Sequence, residues 1–418
     1  MSRHLLQIAW RNLWRNPRRT LITVAAIALG YAMLLVFACL LAGLRSQMTE
    51  NGTQFGLCHM QVHAPDYSPD RSIYKTLGGQ EGVDVAKLLA TVTADARVRA
   101  AAPRVYGYGL VSQAYHSAGA EILGVVPGQE QQVSALHTRL VQGSYLSEQT
   151  PKGVVIGDKL ANTLKATVGS EIILMTQAVD GSMGNDLYTV IGIVHTGQEA
   201  IDRGRVLMSL PASQELLNLA PTRIHEVGVL LFDAGEATTV ARALEAQVSK
   251  ILPVRVRAWP ELSPELAEYV RLNQSGTAVL AFIVFLVAMI GVTNTMLMAV
   301  FERTRELGVL MALGMRPALV VGLVLIEAGS LVVASLIFGG TLGTPLLWYL
   351  QIHGLDLRRF IGELSIVGVS VDPIWYGRQD FAAYGRTALG LTVAALFSAL
   401  YPAVRASRFR PVEAMKRV

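Results

Sequence analysis

The chain alternates four long apolar runs with stretches of mixed pattern. Residues 21–44 contain no charged side chain, and comparable runs follow at 275–299, 318–347 and 383–404. At about 1.5 Å per residue, such a run coiled as a helix crosses a bilayer core of roughly 30 Å. The pattern predicts transmembrane helices over 20–44, 275–300, 318–347 and 383–404. Past Ser275 the second run is polar only at Thr277, Thr293, Asn294 and Thr295; the third carries Gly339, Gly340, Gly343 and Pro345 near its end. The third run also holds a carboxylate, Glu327, about 15 Å along the helix. At that depth a carboxylate costs a few kcal/mol unless paired or hydrated, which points to a structural or conformational role. Asn294 and Thr295 are partners of matching depth.

Between the second and third runs lies a short amphipathic segment, 301–317. Glu302, Arg303, Arg305 and Glu306 crowd its first turn; Leu307, Leu310 and Met311 recur at i, i+3 and i+4, with Gly314 at i+7. That spacing predicts a helix, and Gly314 and Pro317 are ordinary stop signals. Glu302–Arg305 and Arg303–Glu306 are i,i+3 pairs worth a few tenths of a kcal/mol, so they set geometry more than stability.

The mixed stretch 45–274 is long enough for one or two domains. An alternating strand is expected at 57–63, with Cys58, Met60 and Val62 on one face. A helix follows over 83–96 through Val85, Leu88, Leu89 and Val92, then a short apolar piece at 98–103. The order recurs at the far end: strand 227–232, helix 235–251, strand 254–258. Two β-α-β units predict a ferredoxin-like α/β part built from both ends of the stretch. Between them, short strands at 110–115, 121–125, 153–156, 171–175, 188–194 and 205–208, with a helix at 158–164, make a β-rich insertion over about 105–220. A loop at 348–382 is long for a connection.

Composition agrees with a membrane protein that has a sizeable polar portion. Of 418 residues 52% are hydrophobic and only 16% charged, against about 25% charged in soluble domains. The net charge of +5 comes from basic residues beside the apolar runs, which reads as topology and not as nucleic-acid binding. Residues 1–19 hold Arg3, Arg11, Arg15, Arg18 and Arg19 with no acid, and Trp10 and Trp14 suit an interfacial amphipathic helix that Pro17 ends. The tail 405–418 carries Arg405, Arg408, Arg410, Lys416 and Arg417. An even number of spans puts both ends on one side, and the positive-inside rule makes that side cytoplasmic, together with 301–317. The stretches 45–274 and 348–382 are then extracytoplasmic. Arg358, Arg359 and Arg378 run against the rule, offset by Asp356, Glu363, Asp372 and Asp380. The first run is too long for a cleaved signal peptide, and Val36-Phe37-Ala38-Cys39 is a poor lipidation site.

Catalytic chemistry is not evident. Cys39 lies inside a span and Cys58 outside it, which argues against a disulfide. His59 and His63 flank Gln61 on one strand face, but nothing nearby completes a metal set, so no metal is expected. His116, His137, His195 and His225 read as surface residues. There is no G-x-x-x-x-G-K-[ST] phosphate loop and no G-x-S-x-G nucleophile elbow.

The chain resembles the permease subunits of ABC transporters of the FtsX/MacB/LolC–LolE type. The carrying residues are the opening from Trp10 to Thr20 (WRNLWRNPRRT), the ERTRELGVLMALG run from Glu302 to Gly314, Leu325-Ile326-Glu327-Ala328, and the closing Tyr401-Pro402-Ala403-Val404-Arg405-Ala406-Ser407 with Pro411-Val412-Glu413-Ala414. The resemblance implies an α+β protein of a bacterial inner membrane with four transmembrane helices and a large extracytoplasmic domain. That domain has a porter-like part and an inserted β-rich part. It also implies a pair of permeases, identical or sister chains, on separate ATPase subunits that bind ATP and Mg; this chain is expected to bind no cofactor and to be no enzyme itself. The 302–314 helix becomes the coupling helix, with Leu307, Leu310 and Met311 as anchor in the ATPase and the charged turn setting register. The expected function is ATP-driven extraction of an amphiphile, above all release of lipoproteins. Leu40, Leu41, Leu44 and Met48 would then face Val279, Phe282, Ile283 and Leu286 around the substrate. Mechanotransmission to a periplasmic hydrolase, or drug and peptide efflux through an adaptor, are the alternatives; a carrier protein, hydrolase or adaptor would be the matching partner.

Overall fold

The computed structural model describes residues 17–67, 71–79, 84–249, 253–359, 364–366 and 368–408. The expected interfacial helix before residue 17 and the basic tail beyond residue 408 lie outside the described residues. In chain order the elements begin with helix α1 (Pro17–Gln54), strand β1 (Met60–His63), α2 (Val85–Thr93), β2 (Val98–Gln113) and β3 (His116–Val125). Next come α3 (Pro127–Val133), β4 (Leu140–Gly143), β5 (Gly153–Gly157), α4 (Asp158–Leu164), β6 (Glu171–Gln177) and β7 (Met183–Val194). Then follow α5 (Glu199–Gly204), β8 (Arg205–Ser209), α6 (Leu210–Leu216), β9 (Glu226–Leu231), α7 (Ala237–Val248), β10 (Arg255–Ala258) and α8 (Trp259–Leu262). The last part holds α9 (Pro264–Glu302), α10 (Thr304–Ala312), α11 (Pro317–His353), two small two-stranded pairings (355–356 with 374–375, and 364–366 with 369–371) and α12 (Phe381–Ser407).

The four apolar runs are helices, and each is longer than its run: α1 continues to Gln54, α9 starts at Pro264, and α11 reaches His353. An apolar run measures the membrane and not the helix. Residues 45–51 and 264–274 contain no glycine, and Pro264 stands where a helix tolerates proline, so nothing stops the coil at the bilayer edge.

One compact unit takes in residues 17–46, 271–359 and 374–408. Its core is a set of narrow stripes. Ile27, Tyr31, Leu35 and Cys39 recur every fourth residue on α1, Ala288, Val292, Met296 and Val300 on α9, and Leu391, Ala395, Ala399 and Ala403 on α12. The other faces of these helices stay apolar and exposed, as at Leu21, Ile290 and Phe397. A single stripe on a helix that is apolar all round suits a bundle in lipid, where packing holds the helices together. Close approach depends on small residues: a Cβ at Gly339 would lie 2.5 Å from the Ala28 carbonyl oxygen, and Gly343 faces Ala32. Thr23 and Thr295 share a buried hydroxyl–hydroxyl hydrogen bond of 2.7 Å between α1 and α9. Asn294, the expected partner of Glu327, is exposed on α9, and Thr295 is bonded to Thr23. Glu327 meets another residue, described below.

The second unit takes in residues 47–270, together with 364–366 and 368–373 from the long loop. The loop joins it through Gln47, which donates to Asp372 Oδ2 (2.8 Å), and Asn51, which donates to the Ser370 carbonyl (2.8 Å). The sheet has ten strands in the order β10-β1-β9-β2-β3-β8-β5-β7-β4, with β6 bridging β2 and β7. The first four are all antiparallel and come alternately from the two β-α-β units, so each unit has a strand of the other in its middle. β2 is one strand of 16 residues where separate pieces at 98–103 and 110–115 were expected. Its first half pairs with β9, and residues 109–112 pair with β6. The run of glycines and alanines in β2 hides the strand from a pattern that counts large apolar residues.

β1 is shorter than expected, and all four of its residues are buried. Cys58 precedes it in a turn at positive φ. Both cysteines are buried and free; burial pushes the Cys58 thiol up to about 12. His59 Nδ1 accepts from the Leu231 amide (3.1 Å) and His63 Nδ1 lies 2.9 Å from the Ala64 carbonyl, so both histidines serve the sheet. His225 is a core residue and not a surface one: Nδ1 accepts from the Tyr106 amide (3.0 Å) and Nε2 donates to the Ile73 carbonyl (2.8 Å).

The turn after α1 is held by buried charges. Arg205 donates to the Phe55 carbonyl (2.6 Å) and Arg104 to the Gly56 carbonyl, satisfying acceptors that a helix end leaves open. Arg104 in turn pairs with Glu130 at 2.7 Å and lies 3.5 Å from Glu226, all three with fully buried side chains; Arg205 and Arg71 both pair with Glu121 at 2.7 Å.

Candidate functional site

The segment between α9 and α11 is built differently from the expected single helix over 301–317. Glu302 is the last residue of α9, and Arg303 breaks the coil with φ −112° and ψ 15°. Thr304 Oγ1 donates to the carbonyls of Val300 and Phe301, which holds the break. α10 then runs for nine residues. It ends as the sequence requires: Gly314 takes φ +94°, a region that costs a side chain about 1–2 kcal/mol, and Met315 N donates to the Leu310 carbonyl (3.0 Å). Arg316 is extended and Pro317 opens α11.

The apolar residues of α10 divide between two faces. Leu307 is buried in the bundle core and Met311 packs against it. Leu310 is 36% exposed and Leu313 80% exposed, with Val309 beside them. The expected anchor of Leu307, Leu310 and Met311 is therefore corrected: Leu307 and Met311 hold the helix to its own bundle. The outward apolar set is Val309, Leu310 and Leu313, next to exposed Arg305 and Glu306. Period 3.6 tells which residues share a face but not which face looks out, and here both faces are apolar.

Arg303 does not face outward either. Its Nη1 donates to Glu327 Oε1 at 2.7 Å, with side chains only 15% and 7% exposed, and its Nε lies 3.4 Å from Glu306. Glu302 pairs with Arg19 of α1 at 3.0 Å, and Arg405 of α12 stacks over Phe301 at 5.1 Å. Every helix of the bundle thus contributes a charged or aromatic group at the start of this segment.

The expected substrate-facing set does not present one continuous surface. Val279, Phe282, Ile283 and Leu286 are exposed on α9, and Leu40 and Leu41 are half-buried. Leu44 and Met48 are buried inside the chain and offer nothing to a ligand, because α1 stays packed past the point where its apolar run ends. Among the described residues, Asp158, His195 and Asp202 could hold a metal ion. His195 Nδ1 lies 2.9 Å from Asp158 Oδ2, and Asp202 already accepts from the Thr196 and Gly197 amides. His195 is half-buried in this group, not an isolated surface residue.

The model of the MacB-like periplasmic core domain matches residues 20–247, and that of the FtsX-like permease C-terminal region matches 278–411. The chain belongs to the MacB/FtsX family of ABC transporter permeases. The permease is similar to the lipoprotein-releasing system transmembrane protein LolC of Xylella fastidiosa strain 9a5c, with 23% identity over 94% of this chain and 92% of that protein. It is 26% identical to the macrolide export ATP-binding/permease protein MacB of Escherichia coli K12, over 99% of its own length and 60% of that protein. Among solved structures it is similar to the periplasmic region of MacB from Actinobacillus actinomycetemcomitans, at 15% identity over 50% of this chain and 93% of that one, with a TM-score of 0.35. Four helices long and apolar enough to cross a membrane make the permease a multi-pass membrane protein. In it α10 joins two spans, carries an exposed apolar and charged face, and is fastened to the bundle by Leu307, Met311 and Arg303.

Proposed function

We propose that the permease receives force from a separate ATPase at α10 and uses it to lift an amphiphile, lipoproteins foremost, out of a bacterial inner membrane. The observation that carries this is the exposed face of α10. Leu310, Leu313 and Val309 lie beside Arg305 and Glu306 on a helix of nine residues, a surface with an apolar anchor and complementary charge for register. In this reading both termini and α10 are cytoplasmic, the sheet unit is periplasmic, and two permeases, identical or sister chains, sit on two ATPase subunits that bind ATP and Mg. Lipoprotein as cargo is supported by the LolC relatives, which align along nearly the whole of both chains. The energy scale suits such a machine: burying a CH₂ is worth about 0.8 kcal/mol, so freeing two or three acyl chains costs on the order of tens of kcal/mol. The MacB relatives favour a second reading, efflux of a drug or peptide, and they too span nearly all of this chain.

Two experiments test this. Leu310→Arg and Leu313→Arg are expected to leave the permease in the membrane but to abolish its co-purification with the ATPase; Glu306→Lys is expected to keep less of the stimulated ATP hydrolysis. Normal stimulation in all three variants would remove α10 from the role. Mass spectrometry of what co-purifies with the permease–ATPase complex addresses cargo. Acylated protein supports lipoprotein release, and a bound adaptor or hydrolase without acylated protein overturns it.

A further inference from the structure

We propose that Arg303 and Glu327 form a positioning joint that makes α10 move as one body with the first turns of α11 and bend against α9. The proposal rests on the reading of α10 as the place where the ATPase acts.

The two ends of α10 are attached unequally. At its start the backbone is broken at Arg303, and what bridges the break to α9 is local: the Arg303 amide to the Val300 carbonyl at 3.3 Å and the Thr304 hydroxyl to Val300 and Phe301. The side chain of Arg303 caps nothing on its own helix. It reaches instead across to Glu327, on the third span, with a 2.7 Å bond between groups that are 15% and 7% exposed. At its far end α10 passes into α11 through the tight turn at Gly314 to Pro317. The segment from Arg303 to Glu327 is therefore closed into a ring, by the chain on one side and by the ion pair on the other. Leu307 and Met311 fill the inside of that ring with apolar contacts to the bundle core.

A ring of this kind resists rotation of α10 about the Gly314 turn. Separating the pair would take the Arg303 cation from a buried carboxylate, and a broken buried pair is far more costly than a broken surface one. The link from α9 to α1, Arg19 to Glu302, has side chains 28% and 33% exposed and is screened accordingly. A push on α10 is thus delivered to α11, and the relief is taken at the Arg303 break. Glu327 touches neither nucleotide nor cargo in this scheme; it acts through Arg303.

The joint is tested on the full-length permease co-expressed with its ATPase and reconstituted in nanodiscs. Spin labels are placed at Ala312→Cys, exposed at the end of α10, with Ile337→Cys on α11, and at Ala312→Cys with Ile290→Cys on α9, diluted with unlabelled permease; Cys39 and Cys58 are buried. Between the nucleotide-free and ATP-trapped states the 312–337 distance is expected to stay constant and the 312–290 distance to change. A 312–337 distance that changes as much as the other overturns the joint without depending on any altered pair. In parallel, Glu327→Gln is expected to keep the ATPase bound but to lose roughly tenfold in permease-stimulated hydrolysis, the scale of a typical coupling free energy. The double exchange Arg303→Glu with Glu327→Arg is expected to recover most of it. Full stimulation in Glu327→Gln, or an exchange that restores membrane yield without restoring stimulation, overturns the proposal. Loss of ATPase binding in Leu310→Arg is read separately and reports on the underlying assignment of α10.

Discussion

At the scale of single residues, the most constrained side chains lie in the sheet unit. His225 must be neutral, because its Nδ1 accepts a hydrogen bond from the Tyr106 amide. Burial pushes its pKa down from 6.5 to about 4. A depressed pKa adds stability that is complete above the unfolded value and is lost as pH falls through the folded one. His225 thus contributes up to about 3 kcal/mol at neutral pH, lost across the window from about 6.5 to 4. Thermal melting of the full-length protein in detergent is expected to drop between pH 7 and pH 5, and less steeply in His225→Gln, whose amide can both accept and donate. An unchanged slope in that variant would show that His225 is not the titrating group. Arg104 is the second constrained residue. Arg104→Met leaves Glu130 and Glu226 buried with no cation between them and is expected to cost about 3–5 kcal/mol. Folded yield and melting temperature measure it. Neither residue announced itself in the sequence. One more histidine, and one more arginine in a small-residue strand, look like surface residues until the strand order places them in the core.

At the scale of elements, the four spans and α10 were legible, because a membrane thickness and a 3.6-residue period are written locally. What was not legible is where each element stops and what it faces. The helices run past their apolar runs, and the ridge of α10 was assigned to the wrong side for Leu307 and Met311. The Arg303–Glu327 contact joins residues 24 positions apart. A signal for it existed, since the two lie eleven and thirteen residues either side of Gly314, which turns the chain back on itself. Helix contact also rests on small residues that pattern reading noticed without placing. Gly339→Ala puts a methyl 2.5 Å from the Ala28 carbonyl oxygen, whereas Gly340→Ala meets nothing within 4 Å. The first is expected to destabilise the bundle by about 1–3 kcal/mol and the second to leave it unchanged or slightly stabilised. Denaturation of the two variants in the same detergent makes the comparison, and equal effects would contradict the α1–α11 packing.

At the scale of the whole molecule, the chain divides into two units whose segments interleave along the sequence. Composition separated the apolar from the polar stretches well. It missed that residues 368–373 of the long loop belong with the sheet unit, since this membership is decided by Asn51 and Gln47 three hundred residues earlier. The two β-α-β units were visible from their repeated order, while the way their strands alternate is a matter of non-local pairing that no local pattern records. The sequence places a β-rich insertion over about 105–220, and β2 spans the start of that stretch: its 16 residues pass unbroken from one group of strands into the other. No cut within β2 leaves two closed pieces, so a gene exchange limited to residues 105–220 would sever a ladder in mid-strand. The sheet unit is therefore one continuous ladder, and its two groups of strands cannot be exchanged as separate parts without a new pairing for half of β2.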